Sequence, residues 1–302
     1  MADDRPGRIK ALLKQRNAIL LAHNYQPSEI QDVADLCGDS LELSIRAART
    51  DAEVIVFCGV HFMAETASIL SPHKTVLLPR LDAGCPMADM ITAEGLEAKM
   101  ASLPPMPVVT YVNSTADVKA LSTICCTSAN VVAVANSLDA EEMLMTPDRN
   151  LAMYAAARTG KQIHIWDGYC PTHERLKPAD VETARRSHPG AVFMAHPECR
   201  PEILDMADVI ASTSGMIRHA AQAVETAFIV GTELGLLHPL KKACPGKQFY
   251  VASDKMICED MKKITLDDIV RSLETMAGVI KVPEHTRISA LQAVQRMIDL
   301  SA

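Results

Sequence analysis

Short apolar runs alternate along this chain with longer segments whose apolar residues recur every three or four positions. The short runs predict buried strands, and the longer segments predict amphipathic helices. In the first third of the chain, the pattern predicts helices at 5–16, 27–36, 41–50 and 61–70, and strands at 18–24, 53–59 and 74–79. Alternating helices and strands are typical of a parallel sheet that is covered by helices on both faces.

The same order of elements recurs twice more. The second pass predicts strands at 107–113, 141–145 and 162–166, and the third predicts strands at 191–197, 227–232 and 248–253. Turns are predicted at 37–40 and 124–128, and the segment 264–280 is predicted to be a helix. Each pass ends in a cysteine, and these three cysteines, Cys85, Cys170 and Cys258, are 85 and 88 residues apart.

This repetition predicts an α/β fold of three pseudo-symmetric, three-layer αβα sandwich domains with small parallel sheets around a central active site. The predicted domains are 1–86, 87–172 and 173–258, with the C-terminal helices of 259–302 packing back on the first. The alternative is one large doubly wound domain in which the regular spacing is accidental. Crossovers between parallel strands are expected to be right-handed.

Polar residues follow the predicted strands at equivalent places in the three passes. Ligands of parallel sheets bind beyond the carboxyl ends of the strands. Three pairs follow the first strand of each pass: His23 and Tyr25, Tyr111 and Asn113, and His196 and Glu198. Ser40, Ser128 and the run 212–214 precede helical patterns, where Ser and Thr are helix N-caps by default. If the three units meet around a pseudo-threefold axis, their helix N-termini converge on one cavity that suits a small anion with two or three charges.

Composition limits the classes of partner and the compartment. The formal charge of −7 is spread along the chain, so the sequence lacks the basic face that nucleic acid or an anionic membrane requires. No apolar run approaches the roughly 20 residues of a membrane span, and the charged N-terminus lacks the apolar region of a signal peptide. We therefore expect a cytoplasmic protein, in which nine cysteines do not form a disulfide framework.

The three terminal cysteines suggest a metal site. A structural zinc site is usually closed by four ligands, whereas three thiolates on a [4Fe–4S] cluster leave one iron free to act as a Lewis acid. A three-thiolate zinc hydrolase and a non-enzymatic iron–sulfur carrier or sensor are the alternatives. The other cysteines lack the threefold equivalence and are interpreted as packing residues: Cys37, Cys58, Cys125, Cys126, Cys199 and Cys244.

Taken together and in order, the segments "LLAHNYQ", "YVNSTADVKALSTICCTS", "IWDGYCPTH" and "AHPEC" resemble the quinolinate synthase family of de novo NAD biosynthesis. The resemblance runs from about residue 10 to the C-terminal helix. It implies an enzyme, of the transferase type, that condenses iminoaspartate with dihydroxyacetone phosphate to quinolinate, releasing phosphate and two waters. It also implies an L-aspartate oxidase or dehydrogenase upstream, which supplies the iminoaspartate.

The resemblance further implies a [4Fe–4S] cluster on three cysteines, one from each domain. Carried over by motif, these are Cys85, Cys170 and Cys258. Cys258 lacks the Cys-Pro pattern of the other two, and Cys244, in "KKACPGK", has it. However, Cys244 precedes the last predicted strand, so its place in the repeat favours Cys258.

The substrate contacts that the resemblance implies are His23, Ser40, Tyr111, Asn113, Ser128, His196, Glu198 and Thr213. Ser40, Ser128 and Thr213 are expected to cap helices while donating hydrogen bonds to carboxylate or phosphate oxygens. His23 and His196 are expected to hold anionic oxygens and, with pKa values near neutral, to shuttle protons. Tyr25 and Glu198 are the candidate pair for proton transfer. His173, three residues after Cys170, is a third candidate catalytic group, and the alternative is that it only supports a metal ligand.

Overall fold

The computed structural model describes residues 4–301, and its first unit is a mainly parallel sheet between helices. The strands are β1 (Ala18–His23), β2 (Leu36–Gly38), β3 (Val54–Cys58), β4 (Thr75–Leu77) and, from the C-terminal region, β13 (Val279–Ile280). The helices are α1 (Arg5–Gln15), α2 (Ser28–Val33), α3 (Ser40–Arg49) and α4 (His61–Leu70). The strand order is β2-β1-β3-β4-β13, and only β13 is antiparallel to its neighbour.

The second and third units repeat this arrangement. The second contains β5 (Val108–Tyr111), β6 (Ile124–Cys126), β7 (Glu142–Thr146) and β8 (Gln162–Ile165), with α5 (Ala93–Ala101), α6 (Ala116–Ala120), α7 (Val131–Ser137) and α8 (Arg149–Thr159). The third contains β9 (Val192–Ala195), β10 (Val209–Ile210), β11 (Ala227–Gly231) and β12 (Gln248–Val251), with α9 (Pro171–Glu174), α10 (Pro178–Ser187), α11 (Pro201–Leu204), α12 (Thr213–Gln222) and α13 (Leu237–Ala243). Helices α14 (Leu266–Thr275) and α15 (Glu284–Asp299) follow, and three 3₁₀ turns lie at Ala88–Met90, Leu234–Leu236 and Asp260–Lys262.

All three sheets have the same topology, which confirms the predicted fold class. The orders β2-β1-β3-β4, β6-β5-β7-β8 and β10-β9-β11-β12 are one pattern, and every pair within these four-strand sets is parallel. The order reverses between the first and third strand of each set. In open α/β sheets, the crevice beyond that point is where ligands bind.

The turns predicted at 37–40 and 124–128 are wrong in part, because β2 and β6 occupy these segments. Each of these edge strands has three residues, too few to show a period in the sequence. Their place in the sheet comes from hydrogen bonds to β1 and β5.

The helix predicted at 264–280 ends early. Helix α14 stops at Thr275, and the left-handed backbone of Met276 (φ 55°) and Gly278 (φ 86°) turns the chain into β13. A Cβ at Gly278 would lie 2.3 Å from the carbonyl oxygen of Leu78, so only glycine fits this approach.

The C-terminal helices pack on two units. Helix α14 lies against α1, whereas α15 lies against α6, β6 and α4. The domain boundaries at 1–86, 87–172 and 173–258 stay a prediction, and residues 1–3 and 302 of the outer segments lie outside the described residues. Within 4–301, no helix combines the length and the apolar character that crossing a bilayer requires.

Candidate functional site

The carboxyl ends of the three sheets face one cavity. All the predicted catalytic residues, substrate contacts and metal ligands line this cavity: His23, Tyr25, Ser40, Cys85, Tyr111, Asn113, Ser128, Cys170, His173, His196, Glu198, Thr213 and Cys258. Thr213 is the only lining residue of the run 212–214. The three units therefore contribute to a single cavity. The roles assigned to the individual residues stay predictions.

Two of the three units share a histidine arrangement. The backbone N–H of Tyr25 donates to His23 Nδ1 at 3.2 Å, and the backbone N–H of Glu198 donates to His196 Nδ1 at 3.3 Å. A neutral imidazole whose Nδ1 accepts a hydrogen bond carries its proton on Nε2. Both rings can therefore donate from Nε2, and that atom of His196 lies 3.2 Å from Ser128 Oγ.

The expectation of near-neutral histidine pKa values is wrong. Burial lowers the pKa of both His23 and His196 to about 3, in spite of the opposing charge of Glu198. At neutral pH the two rings are uncharged hydrogen-bond donors, and neither is suited to shuttling protons.

These low pKa values predict that acid destabilises the fold below about pH 6.5. Between the unfolded value near 6.5 and the folded value of about 3, the unfolded chain binds more protons than the folded one, so stability falls as pH falls. Each of the two histidines contributes a loss of up to about 1.4 kcal/mol per pH unit. Glu198, whose pKa is lowered from 4.5 to about 2, adds a further loss of stability only below about pH 4.5.

Chemical denaturation between about pH 6.5 and pH 5 measures this loss, and His23→Gln is expected to make it shallower. Two-bond ¹H–¹⁵N spectra of the imidazoles supply an independent check. Protonated Nδ1 in either ring at about pH 5 would contradict the prediction.

Ser40, Ser128 and Thr213 were expected to cap helices, and the structure corrects this. The cap of α3 is Asp39, whose carboxylate accepts from the backbone N–H groups of Leu41 and Glu42, and the cap of α12 is Ser212. Asn130 precedes α7 and makes no capping bond to that helix. The first residue of a helix cannot be located from sequence to within one or two positions, so the predicted caps are one or two residues away from the observed ones. The three hydroxyls are instead part of the cavity wall.

Glu198 is the most connected ionisable group in the cavity. Its Oε2 lies 2.7 Å from His173 Nδ1, and it accepts a hydrogen bond from the Tyr111 hydroxyl. Burial alone raises the pKa of Glu198, but the charge and hydrogen bond of His173, together with His196 and Tyr111, leave it at about 2. Glu198 is thus a carboxylate at neutral pH, although its side chain is only 4% exposed.

Two polar groups near Glu198 are also placed by this network. Burial, followed by the charge of Glu198, raises the pKa of Tyr111 well above its ordinary value, so the phenol keeps its proton. Asn113 Nδ2 lies 3.5 Å from Glu198 Oε1, and Asn113 Oδ1 is buried with no hydrogen-bond partner among the described residues. This oxygen is available to accept from a ligand.

The three terminal cysteines lie in equivalent turns. The sulfur of Cys85 accepts a hydrogen bond from the backbone N–H of Ala88, that of Cys170 from His173, and that of Cys258 from Met261. Each cysteine is followed by a short helical turn, formed by 88–90, α9 and 260–262. Sequence analysis did not predict these turns, which point three backbone N–H groups at sulfur.

Burial raises the pKa of all three thiols, that of Cys85 to about 12. The charges of Cys85 and Cys258 raise the pKa of Cys170 further. Three thiolates in one buried place are therefore stable only with a cationic centre, because a coordinated thiol is deprotonated by its metal.

The spacing of the thiols bears on which metal centre fits. Three sulfurs on one zinc lie within about 4.6 Å of each other, given a Zn–S bond of about 2.3 Å. Within 4–301, the three cysteines do not form a group of ligand atoms as close as 4.8 Å, although Cys170, His173 and Glu198 do. The three cysteines are therefore spread too widely to bind a single zinc ion together. Cys244 is buried at the end of α13 and does not line the cavity.

Sequence reasoning missed the apolar part of the cavity wall. These residues are Val60, Phe62, Met63, Met87 and Met261, and Asp39, Gly84 and Thr172 complete the lining. Phe62 and Met63 lie in the first turn of α4, where their apolar character predicts packing and no ligand. The only sequence feature that could have placed them at the site is their position, since they follow β3 at the carboxyl edge of the first sheet.

Comparison with known proteins agrees with the geometry. A sequence model of the family described as "Quinolinate synthetase A protein" matches residues 7–299. The chain is 57% identical over 296 residues to a protein of Geotalea uraniireducens named "Quinolinate synthase", covering 98% of this chain and 97% of the relative. It is 56% identical over 290 residues to the "Quinolinate synthase" of a Geobacter species (strain M21), covering 96% and 95%. "Quinolinate synthase 1" of Methanosarcina acetivorans is 53% identical over 291 residues, covering 96% of each chain.

Proposed function

This chain belongs to the quinolinate synthetase A family, and we propose that it condenses iminoaspartate with dihydroxyacetone phosphate to quinolinate. Phosphate and two waters are released. The observation that carries the proposal is the convergence of three equivalent cysteines and the recurrent polar residues on one cavity. Because iminoaspartate is an imine of an amino acid, an amino-acid oxidation must supply it, by an L-aspartate oxidase or dehydrogenase.

Cys85, Cys170 and Cys258 would hold a [4Fe–4S] cluster. The fit rests on three thiols from three units, each with a backbone N–H donor, spread more widely than a single ion allows. When bound, such a cluster supplies a Lewis-acidic iron that lacks a protein ligand and can bind a substrate oxygen.

The anionic groups of the substrates are bound by neutral donors. The Nε2–H groups of His23 and His196 and the hydroxyls of Ser40, Ser128 and Thr213 line the cavity. Ser40 and Thr213 are the first residues of α3 and α12, whose N-terminal dipole ends favour carboxylate or phosphate. Asn113 Oδ1, which has no protein partner within 4–301, accepts a hydrogen bond from the substrate nitrogen.

Proton transfer belongs to Tyr25, Glu198 and His173. Forming one C–C and one C–N bond with loss of phosphate and two waters requires protons to leave carbon and nitrogen and to reach the departing oxygens. Glu198 is a carboxylate held in place by His173, so it can accept a proton that leaves a substrate carbon or nitrogen. Tyr25 keeps its proton, since burial raises its pKa well above its ordinary value, and it can donate to oxygen. A cavity that closes over the substrates protects the imine from hydrolysis.

The test is purification without oxygen, assay of iron and sulfide, and detection of quinolinate from iminoaspartate and dihydroxyacetone phosphate by mass spectrometry. We expect quinolinate in proportion to bound cluster and none when either substrate is omitted. Zinc without iron and sulfide would support the hydrolase alternative, and a loaded cluster without turnover would support the carrier or sensor.

A further inference from the structure

Lys119, in α6 of the second unit, is fully buried. Lysine is almost never fully buried unless its charge is paired. Among residues 4–301, no other lysine or arginine is buried, and no carboxylate lies within 4 Å of Lys119 Nζ. The fold therefore holds a buried cation that is not neutralised by direct contact with an acid.

The ammonium of Lys119 lies directly behind the cavity wall. Its Nζ donates to the carbonyl oxygen of Ser114 and lies 5.6 Å from the centroid of the Phe62 ring. Phe62 belongs to the first unit and lines the cavity, so this is a contact between units. The face of an aromatic ring attracts a cation. Burial lowers the pKa of Lys119, but the charges of Glu65 and Cys85 favour its charged form.

The strand register identifies the residues that are equivalent to Lys119 in the other two units. Ala22, Thr110 and Ala195 are aligned, because each pairs with the equivalent residue of its edge strand. The residues that follow them at the same distance along the chain are Gln31, Lys119 and Leu204.

This equivalence shows that the fold does not require a charge at the position of Lys119. Gln31 Nε2 donates to the carbonyl oxygen of Gln26 at 2.8 Å, and this bond is the counterpart of the one from Lys119 to Ser114. A neutral amide thus makes the same contact in the first unit, and an apolar leucine occupies the position in the third. Only the second unit has a cation at this position, so its charge needs an explanation other than support of the loop.

The cavity lacks a cation of its own. Among residues 4–301, its lining includes Asp39 and Glu198 but no lysine or arginine. The proposed substrates bring two carboxylates and a phosphate into this space, and anions are costly to bury without an opposite charge. Lys262 is close to the cavity, but its ammonium is paired with Glu233 at 2.8 Å. The charge of Lys119 is unpaired, and because it is buried it is screened little by salt.

We propose that Lys119 is a positioning residue that holds the anionic substrates in the cavity by its positive potential, acting through the Phe62 side of the wall without touching them. The inference rests on the proposed function for the identity of these substrates. It gives the second unit an electrostatic task that the other two units do not share.

The test uses two variants that the repeat itself supplies. Lys119→Gln introduces the residue of the first unit, which removes the charge but can keep the hydrogen bond to Ser114. Lys119→Leu introduces the residue of the third unit and removes both. Lys247→Gln is the matched control, because Lys247 Nζ also lies 5.6 Å from the centroid of a phenylalanine ring, that of Phe228, and donates to main-chain carbonyls. Neither Lys247 nor Phe228 lines the cavity.

The measurement is calorimetric titration of oxygen-free samples of equal iron content with dihydroxyacetone phosphate, with inorganic phosphate and with uncharged dihydroxyacetone. We expect both Lys119 variants to bind the two anions roughly tenfold more weakly, since each has lost a unit charge near them. Binding of dihydroxyacetone should not change. In steady-state kinetics, KM for dihydroxyacetone phosphate should rise with kcat unchanged, which is the pattern of lost uniform binding. Lys247→Gln should match the unchanged protein.

The variants separate charge from structure. A loss of affinity confined to Lys119→Leu, or an equal loss for dihydroxyacetone, would assign the effect to the Ser114 contact and overturn the inference. Unchanged anion binding in Lys119→Gln would overturn it, as would an unchanged protein that binds neither anion. A protein that binds both anions and forms no quinolinate would instead refute the proposed function, and the titrations would still decide the role of Lys119.

Discussion

Serine at position 85, 170 or 258 is expected to abolish both the visible absorption of the iron–sulfur cluster and quinolinate formation. Each of these cysteines lies at the cavity in its own unit, with a backbone N–H donor three residues later. Serine is nearly the same size, but its hydroxyl does not ionise to a soft ligand for iron. Activity should fall by more than about 100-fold, the upper end of what changes beside a metal site cost.

Cys244→Ser is the matched control for these variants. Cys244 shares the Cys-Pro sequence of Cys85 and Cys170, yet it is buried at the end of α13, away from the cavity. The control should keep its full content of iron and sulfide. If Cys258→Ser retained the cluster and Cys244→Ser lost it, Cys244 would be the third cluster ligand in place of Cys258.

Glu198→Gln is expected to keep the cluster and to lose turnover by about 10²- to 10⁴-fold, the range of a general acid–base group. The change preserves size but removes the charge, and an amide cannot accept a proton as a carboxylate does. It also puts an N–H₂ group where the carboxylate now accepts from His173 and Tyr111. Because substrate binding relies on other donors, kcat should fall more than KM rises.

Glu142→Gln is the control, since Glu142 also pairs with a histidine, His164, at 3.1 Å, but on the surface. Steady-state kinetics on anaerobic samples with equal iron content measure both variants. Unchanged kcat in Glu198→Gln would remove Glu198 from the chemistry, whereas equal loss in Glu142→Gln would point to a general effect of removing charge.

Much of the fold was readable from the sequence because the signal was repeated three times. Every strand that the apolar runs predicted is present, and each terminal cysteine follows the last strand of one four-strand set. The misses are local. Edge strands β2 and β6 are too short for a period, and the end of α14 depends on the left-handed backbone of Met276 and Gly278.

Candidate site residues were found by their place at strand ends, but their ionisation was not. His23 and His196 were expected to titrate near neutrality, and complete burial holds both neutral instead. Ser40 and Thr213 were expected to be caps, and Asp39 and Ser212 are the caps that the backbone selects. The pKa of a side chain and its role as a helix cap depend on which groups surround it in the folded protein. The spacing of residues along the chain does not give this information.

The sequence by itself determined the threefold α/β plan and the family, since periodicity and motif order are written along the chain. Only the tertiary structure decided which groups touch, and Thr232 is the example. It lies 207 residues from Tyr25 and 59 from His173 along the chain, yet bonds to both. Contacts between units depend on how the three sheets pack together. That packing results from the burial of many side chains at once, and no local sequence pattern predicts it.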